Sequence, residues 1–314
     1  MSYLIFDIET VPDLSLWTPP TMTEPPAEDG TLPGQQPLGL PGAPPPPAAP
    51  ILQAVPLPEV STIAAPTTPA AGFTLTIPPQ GTKKPRKPRA PRKTANGEAK
   101  DPFPPHYAHR VVAIGYVWLS LEGDTPALLG MGCVGTSTFK DDEAALLSAW
   151  NTFVQQHHPT VVSFNGRSFD VPVLSLRALR HGISQSWADG DYRKRYSDQH
   201  LDLFDALTEF GALPRTGFSL DTLTQMIGLP GKGAVDGTKV RELFNRGDIQ
   251  KVEAYCWSDA VRTAYLLLRY RLMRGGLSIE QYRVMAKTLL DACARAQLGT
   301  ITFGCDTKRL LLDA

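Results

Sequence analysis

Tyr3-Leu4-Ile5-Phe6-Asp7-Ile8-Glu9-Thr10-Val11-Pro12 is the stretch on which the reading of this chain turns. Tyr3 to Ile8 is a compact apolar run closed at Pro12, the pattern of a buried strand whose carboxyl end carries acids. A strand repeats every two residues, so Asp7 and Glu9 share one face and Ile8 points to the other. Two carboxylates so close repel unless a cation lies between them or one is protonated. Acidic side chains are almost never fully buried unless paired or bound to metal. The plainer alternative is a strand end that simply meets solvent.

The composition changes abruptly after this strand. Residues 19–106 hold 24 of the 30 prolines and show no apolar periodicity. Runs such as Pro44-Pro45-Pro46-Pro47 favour extended, polyproline-like chain and build no packed core, so a disordered insert is expected. Setting it aside leaves roughly 225 residues, enough for one well-filled domain made of 1–18 and 107–314. The formal net charge is zero, yet Lys83, Lys84, Arg86, Lys87, Arg89, Arg92 and Lys93 form a basic run without an acid. Such a run can attract a polyphosphate backbone, or it can be a solvated segment that aids solubility.

The four cysteines lie far apart and form no CxxC pair, which suits a reduced, intracellular protein without a zinc finger. The amino terminus lacks the basic region and long apolar stretch of a secretory signal. No apolar run is long enough to span a bilayer. A soluble, cytoplasmic protein with no membrane partner is expected.

Beyond the insert, residues 110–118 read as a second strand and 127–134 as a third, an antiparallel meander with the insert leaving its first connection. Leu146, Leu147, Trp150, Phe153 and Val154 then follow helical spacing. A β-rich run at 160–164, a helix at 171–179 and a short strand at 201–204 come next. Helical patterns close the chain at 220–227, 240–244, 249–273 and 279–296, the first capped by Ser219 and the third by Asp248. The fold class expected is α/β: a mixed sheet, meander plus parallel strands, flanked by helices in three layers.

Two further acidic motifs join the first. Phe164-Asn165-Gly166-Arg167-Ser168-Phe169-Asp170 runs from a strand through a turn signal into a helix that Asp170 opens. By itself Asp170 is equally a helix cap. Tyr255 and Asp259 stand four apart on a largely apolar helix and so share a face. They read either as a tyrosine anchored by an internal carboxylate or as a metal ligand with a phenol one turn away. Four carboxylates at the ends of separate core elements suggest a divalent-metal site assembled by folding, and phosphodiester hydrolysis is its natural chemistry.

In order and spacing these motifs resemble the DEDD superfamily of 3′→5′ exonucleases, in the branch with tyrosine in the third motif. The resemblance is to the stand-alone bacterial exonucleases related to the proofreading domain of family B DNA polymerases, and it covers residues 1–18 and about 107–274. His200-Leu201-Asp202-Leu203, Gly228-Leu229-Pro230-Gly231-Lys232 and Asp236-Gly237-Thr238-Lys239-Val240 also match. The insert is a departure that touches no catalytic position.

The resemblance implies an RNase H-like fold and two Mg²⁺ or Mn²⁺ ions. Asp7 would bridge the ions, Glu9 and Asp259 would complete the site that carries the attacking water, and Asp170 would serve the second ion. Tyr255 would orient that water. Thr10, Val11, Phe164, Asn165 and Lys232 would contact substrate, while His200 and Asp202 would support the fold. The partners implied are 3′ ends of single-stranded DNA or RNA, with a polymerase or repair protein acting in trans. Rival readings are an RNA-trimming exoribonuclease and a non-catalytic nucleic-acid-binding scaffold that recruits partners through the Pro-rich arm.

Overall fold

The opening strand runs further than its apolar core, from Ser2 to Pro12 (β1), and carries both acids inside the sheet. It pairs antiparallel with His109–Ser120 (β2), with an irregularity between Glu9 and Thr10. The meander continues antiparallel into Ala127–Gly135 (β3). On its other edge β1 runs parallel to Thr160–Ser163 (β4), which runs parallel to His200–Asp202 (β5). The five-stranded sheet therefore has the order β3-β2-β1-β4-β5, with the acid-bearing strand in the middle. This computed structural model describes residues 2–18, 103–123, 125–214, 216–231 and 237–313. All but Phe103 belong to one compact unit.

Ten helices accompany the strands among the described residues: Thr136–Phe139 (α1), Glu143–His157 (α2), Asp170–His181 (α3), Leu203–Leu207 (α4) and Leu220–Met226 (α5), then Val240–Asn245 (α6), Ile249–Met273 (α7), Ile279–Arg295 (α8), Gly299–Thr302 (α9) and Thr307–Leu311 (α10). They cover both faces of the sheet. Phe6 meets Trp150 of α2 at 5.4 Å between ring centres. Tyr3 and Ile5, on the opposite face, join a core with α5, α7 and α8. Asp7 and Glu9 continue the Tyr3–Ile5 side, so they face α7. This is the expected α/β arrangement, a mixed sheet flanked by helices.

Two expectations need correction. The segment 201–204 is not one strand, because β5 ends at Asp202. The Asp202 carboxylate accepts the Phe204 and Asp205 N–H groups and caps α4, which turns the chain into a helix. Asp248 precedes α7 without capping it and instead binds Lys251 Nζ at 2.9 Å, whereas Ser219 does cap α5 through the Thr222 N–H. The insert expected over 19–106 falls outside the described residues up to 102. Its last residues include the start of a short 3-10 turn, His106–Ala108.

A buried ionic knot ties the end of β1 to the helices behind it. Arg177, fully buried on α3, binds Glu143 of α2 and reaches Asp13 Oδ2 at 2.8 Å. Glu143 also accepts the Val111 N–H of β2 at 2.7 Å. Burial acts to raise the Asp13 pKa, but its bonds to Ser15 and Arg177 outweigh it and hold the carboxyl below its ordinary value. Among the described residues no helix is long and apolar enough to cross a membrane.

Candidate active site

The centre of the site forms where α7 crosses the sheet over Gly115. Gly115 stands opposite Asp7 in the β1–β2 register. A Cβ on Gly115 would lie 2.5 Å from the Cys256 carbonyl oxygen and 2.8 Å from Trp257 Cα, so only glycine admits the helix this closely. The Gly115 N–H donates to Cys256 Sγ at 3.1 Å, and the Cys256 thiol donates to the Asp7 carbonyl at 3.3 Å. Helix and strand are thereby joined backbone to side chain directly beneath the acids.

This contact brings Asp7, Glu9 and Asp259 together. One carboxylate oxygen from each lies within 4.8 Å of the other two. Asp259 is buried, while Asp7 and Glu9 are half-buried. Three hard oxygen donors with that spacing fit a divalent cation, since ligands at about 2.0–2.1 Å from Mg²⁺ stand roughly 3–4 Å apart. Tyr255, one turn before Asp259, hydrogen-bonds to it. Burial, then the Asp259, Glu9 and Asp7 charges, push the phenol far above its ordinary pKa, so it stays protonated and donates.

Asp170 lies beside this cluster rather than in it. It opens α3, is 5% exposed, and its Oδ1 accepts the Ile8 N–H at 3.2 Å. That bond ties it to the backbone between Asp7 and Glu9. Burial, helped by the Asp202 charge and opposed by backbone hydrogen bonds, pushes its pKa up to about 7. The room it occupies depends on Gly166, where a Cβ would sit 3.2 Å from Asp170 Oδ2 and 2.5 Å from Ser163 Oγ.

The loop between β4 and α3 is shaped from below by Asp202, which accepts the Asn165 N–H at 2.8 Å and the Arg167 N–H at 3.0 Å. Asn165 sits at φ 66°, a left-handed conformation that asparagine tolerates better than most residues. His200 braces the same loop through Ser163 Oγ at 2.9 Å, and burial, then the Arg167 charge, push its pKa down to about 3. His200 and Asp202 thus have the supporting placement expected of them.

A groove of about 440 Å³ opens beside the acids. Asp7, Asp259, Phe164 and Asn165 line it, together with Phe204, Phe218, Ser219 and Leu220, which sequence reasoning missed. Phe164 and Phe204 meet edge to face, 5.5 Å between ring centres. Thr10 and Val11 do not line this groove. The Thr10 hydroxyl donates to His109 Nδ1 at 2.8 Å, because His109 Nε2 donates to the Pro104 carbonyl. Val11 is buried with Val112, Val240 and Val252. Lys232 lies outside the described residues. Gly115 carried a usable signal, a glycine in the middle of a strand, which marks close backbone approach. The groove's extra residues carried none, since they come from separate segments.

Parts of several known proteins are similar to this chain. The catalytic chain of DNA polymerase epsilon from Saccharomyces cerevisiae is 29% identical over 140 residues, which cover 42% of this chain and 6% of the polymerase. Its counterpart from Kluyveromyces lactis is 31% identical over 144 residues, 41% of this chain and 6% of that protein. The match thus spans a small part of these relatives. Among solved structures, the family B DNA polymerase from the hyperthermophilic archaeon Pyrobaculum calidifontis is similar with a TM-score of 0.41 and 17% identity, covering 67% of this chain and 26% of that one. A sequence profile described as a predicted 3′-5′ exonuclease related to the exonuclease domain of PolB matches residues 101–302, and β1 with Asp7 and Glu9 lies outside that match. The chain belongs to this family of predicted PolB-related 3′-5′ exonucleases.

Proposed function

We propose that the chain is a metal-dependent 3′→5′ exonuclease that shortens single-stranded DNA, and RNA where the groove admits it, releasing nucleoside 5′-monophosphates. The observation that carries this reading is the meeting of Asp7, Glu9 and Asp259 with the Tyr255 phenol one turn away. Asp7, Glu9 and Asp259, with Asp170 beside them, would hold two Mg²⁺ or Mn²⁺ ions. When bound, such a pair stabilises charge on the attacking and leaving oxygens of an in-line displacement.

The chain's own residues do the rest. The aromatic groove seats the terminal nucleotide by stacking, and Asn165 borders its polar part. Tyr255, held neutral with its O–H donated to Asp259, accepts a hydrogen bond from the attacking water on its phenol oxygen and so orients it. A bond forms between that water's oxygen and phosphorus while the bond from phosphorus to the 3′ oxygen breaks. The released nucleotide keeps its 5′-phosphate, and the shortened strand regains a 3′-hydroxyl. Because the relatives named above are DNA polymerases, a polymerase or repair partner in trans belongs to this reading.

Oligonucleotides of DNA and RNA labelled at either end provide the test. With Mg²⁺ or Mn²⁺, a 5′ label should yield a ladder that shortens one nucleotide at a time, and a 3′ label should appear at once as a mononucleotide. Internal fragments, or release of the 5′ label first, would contradict the proposal. The relative rates on the two polymers give the sugar preference.

A further inference from the structure

A second surface lies along the chain from the groove, at the open end of α4. Tyr196 is 76% exposed, and its ring stands 4.8 Å from that of half-buried Phe210. The Arg195 guanidinium lies 6.0 Å from the centre of the Phe210 ring. Arg195 is held there by two bonds to Asp205, Nε to Oδ2 at 3.1 Å and Nη2 to Oδ1 at 2.7 Å. Arg193 and Lys194 precede it, both exposed, Lys194 paired with Asp191.

The backbone beneath Phe210 is strained. Glu209 and Phe210 are consecutive non-glycine residues at φ 48° and 53°, the left-handed region that a bulky side chain rarely enters. Such strain persists where the surrounding structure enforces it, and it gathers at ligand-contacting positions. Here it sets half-buried Phe210 beside an exposed tyrosine and a cation.

The surface and the candidate active site are joined through α4. Asp205, which anchors Arg195, follows Phe204 in the groove wall. Phe210 stands six positions after Phe204, across the end of α4 and the turn that follows it, so the chain itself keeps the two within about 20 Å. A strand whose terminal nucleotide fills the groove has unpaired bases and phosphates to place within that range. Exposed aromatic rings combined with arginines are what a sequence-tolerant single-strand site requires.

We infer that Tyr196, Phe210 and Arg195 form a second single-stranded nucleic-acid contact, where an unpaired base upstream of the cleaved one stacks on the aromatic pair. This rests on the exonuclease reading only for which strand is bound. The test uses the full chain and 5′-labelled single strands of DNA and of RNA, each about 20 nucleotides long. Binding is followed by fluorescence anisotropy in EDTA, and cleavage of a labelled trinucleotide is followed with Mg²⁺. Tyr196→Ala and Phe210→Gly should each weaken strand binding about tenfold. Glycine suits the left-handed position, so the second variant keeps its fold. Tyr196→Trp should retain affinity, and trinucleotide cleavage should stay unchanged in all three.

Unchanged strand affinity in both weakening variants would overturn the inference. So would a parallel fall in trinucleotide cleavage, which would mean a damaged groove wall. So would a changed oligomeric state in sedimentation with strand affinity intact, since the surface would then join two copies. A wild-type chain that binds strands and cuts none would remove the exonuclease reading alone, and the anisotropy of the variants would still decide the second contact.

Discussion

Tyr255 separates a chemical site from a structural one most sharply at the scale of single residues. Its phenol is protonated, bonded to Asp259 and adjacent to three carboxylates. A residue that only packed would leave turnover intact when its hydroxyl is removed. Tyr255→Phe should lower kcat about a hundredfold, the size of effect seen when one positioned hydrogen bond to a reacting group is removed, while Mn²⁺ binding is kept. Titration calorimetry beside steady-state rates checks both, and loss of metal binding would make the phenol a ligand-organising group instead. His200 makes the opposite case. Its folded pKa, about 3, lies below the unfolded value near 6.5, so the folded state resists a proton that the unfolded chain accepts. Its contribution is constant above pH 6.5 and turns against the fold as pH falls from 6.5 toward 3, by about 2 kcal/mol at pH 5. In urea titrations, His200→Gln should therefore lose less stability than the parent between pH 7 and 5. Parallel losses would show that His200 is not held neutral.

At the scale of elements, the site depends on how closely α7 lies against the sheet. Gly115→Ala places a methyl into the Cys256 and Trp257 backbone, which must move. We expect roughly 1–3 kcal/mol of lost stability and a larger proportional loss of activity, because Tyr255 and Asp259 ride on the displaced helix. Denaturant unfolding and rate measurement on the same preparation check this, and full activity would show that the close approach is dispensable. The sequence made this element pair readable in part. The alternation in Tyr3–Glu9 and the spacing of Tyr255 and Asp259 predicted which faces meet, since periodicity reports faces directly. It did not predict the end of β5 at Asp202, because a local cap overrode an apolar run. Nor did it show the Arg177–Glu143–Asp13 knot, in which three charges distant in sequence become one buried unit. Phe204 and Phe218 look like ordinary core residues until folding brings them to one groove.

At the scale of the whole molecule, the acids and the core that supports them come from both sides of the insert. Asp13 N–H donates to the Ala108 carbonyl at 2.7 Å, so the chain leaves and re-enters at neighbouring points. A chain in which a short Gly/Ser linker replaces residues 19–102 should melt within about 3 °C of the parent and keep its rate on short strands. A collapse of the melting temperature would make the insert part of the folded unit.

In the proposed reaction, strand cleavage depends on metal held by Asp7, Glu9 and Asp259. The most direct measurement compares wild type and Asp7→Ala on 5′-labelled single-stranded DNA, with Mg²⁺ and with EDTA, beside their melting curves. The predicted result is a ladder shortening from the 3′ end in wild type with Mg²⁺ only, and cleavage at least roughly a thousandfold slower in Asp7→Ala, which still melts cooperatively. Cleavage that survives EDTA, or an Asp7→Ala chain that cuts as fast as its parent, would contradict it.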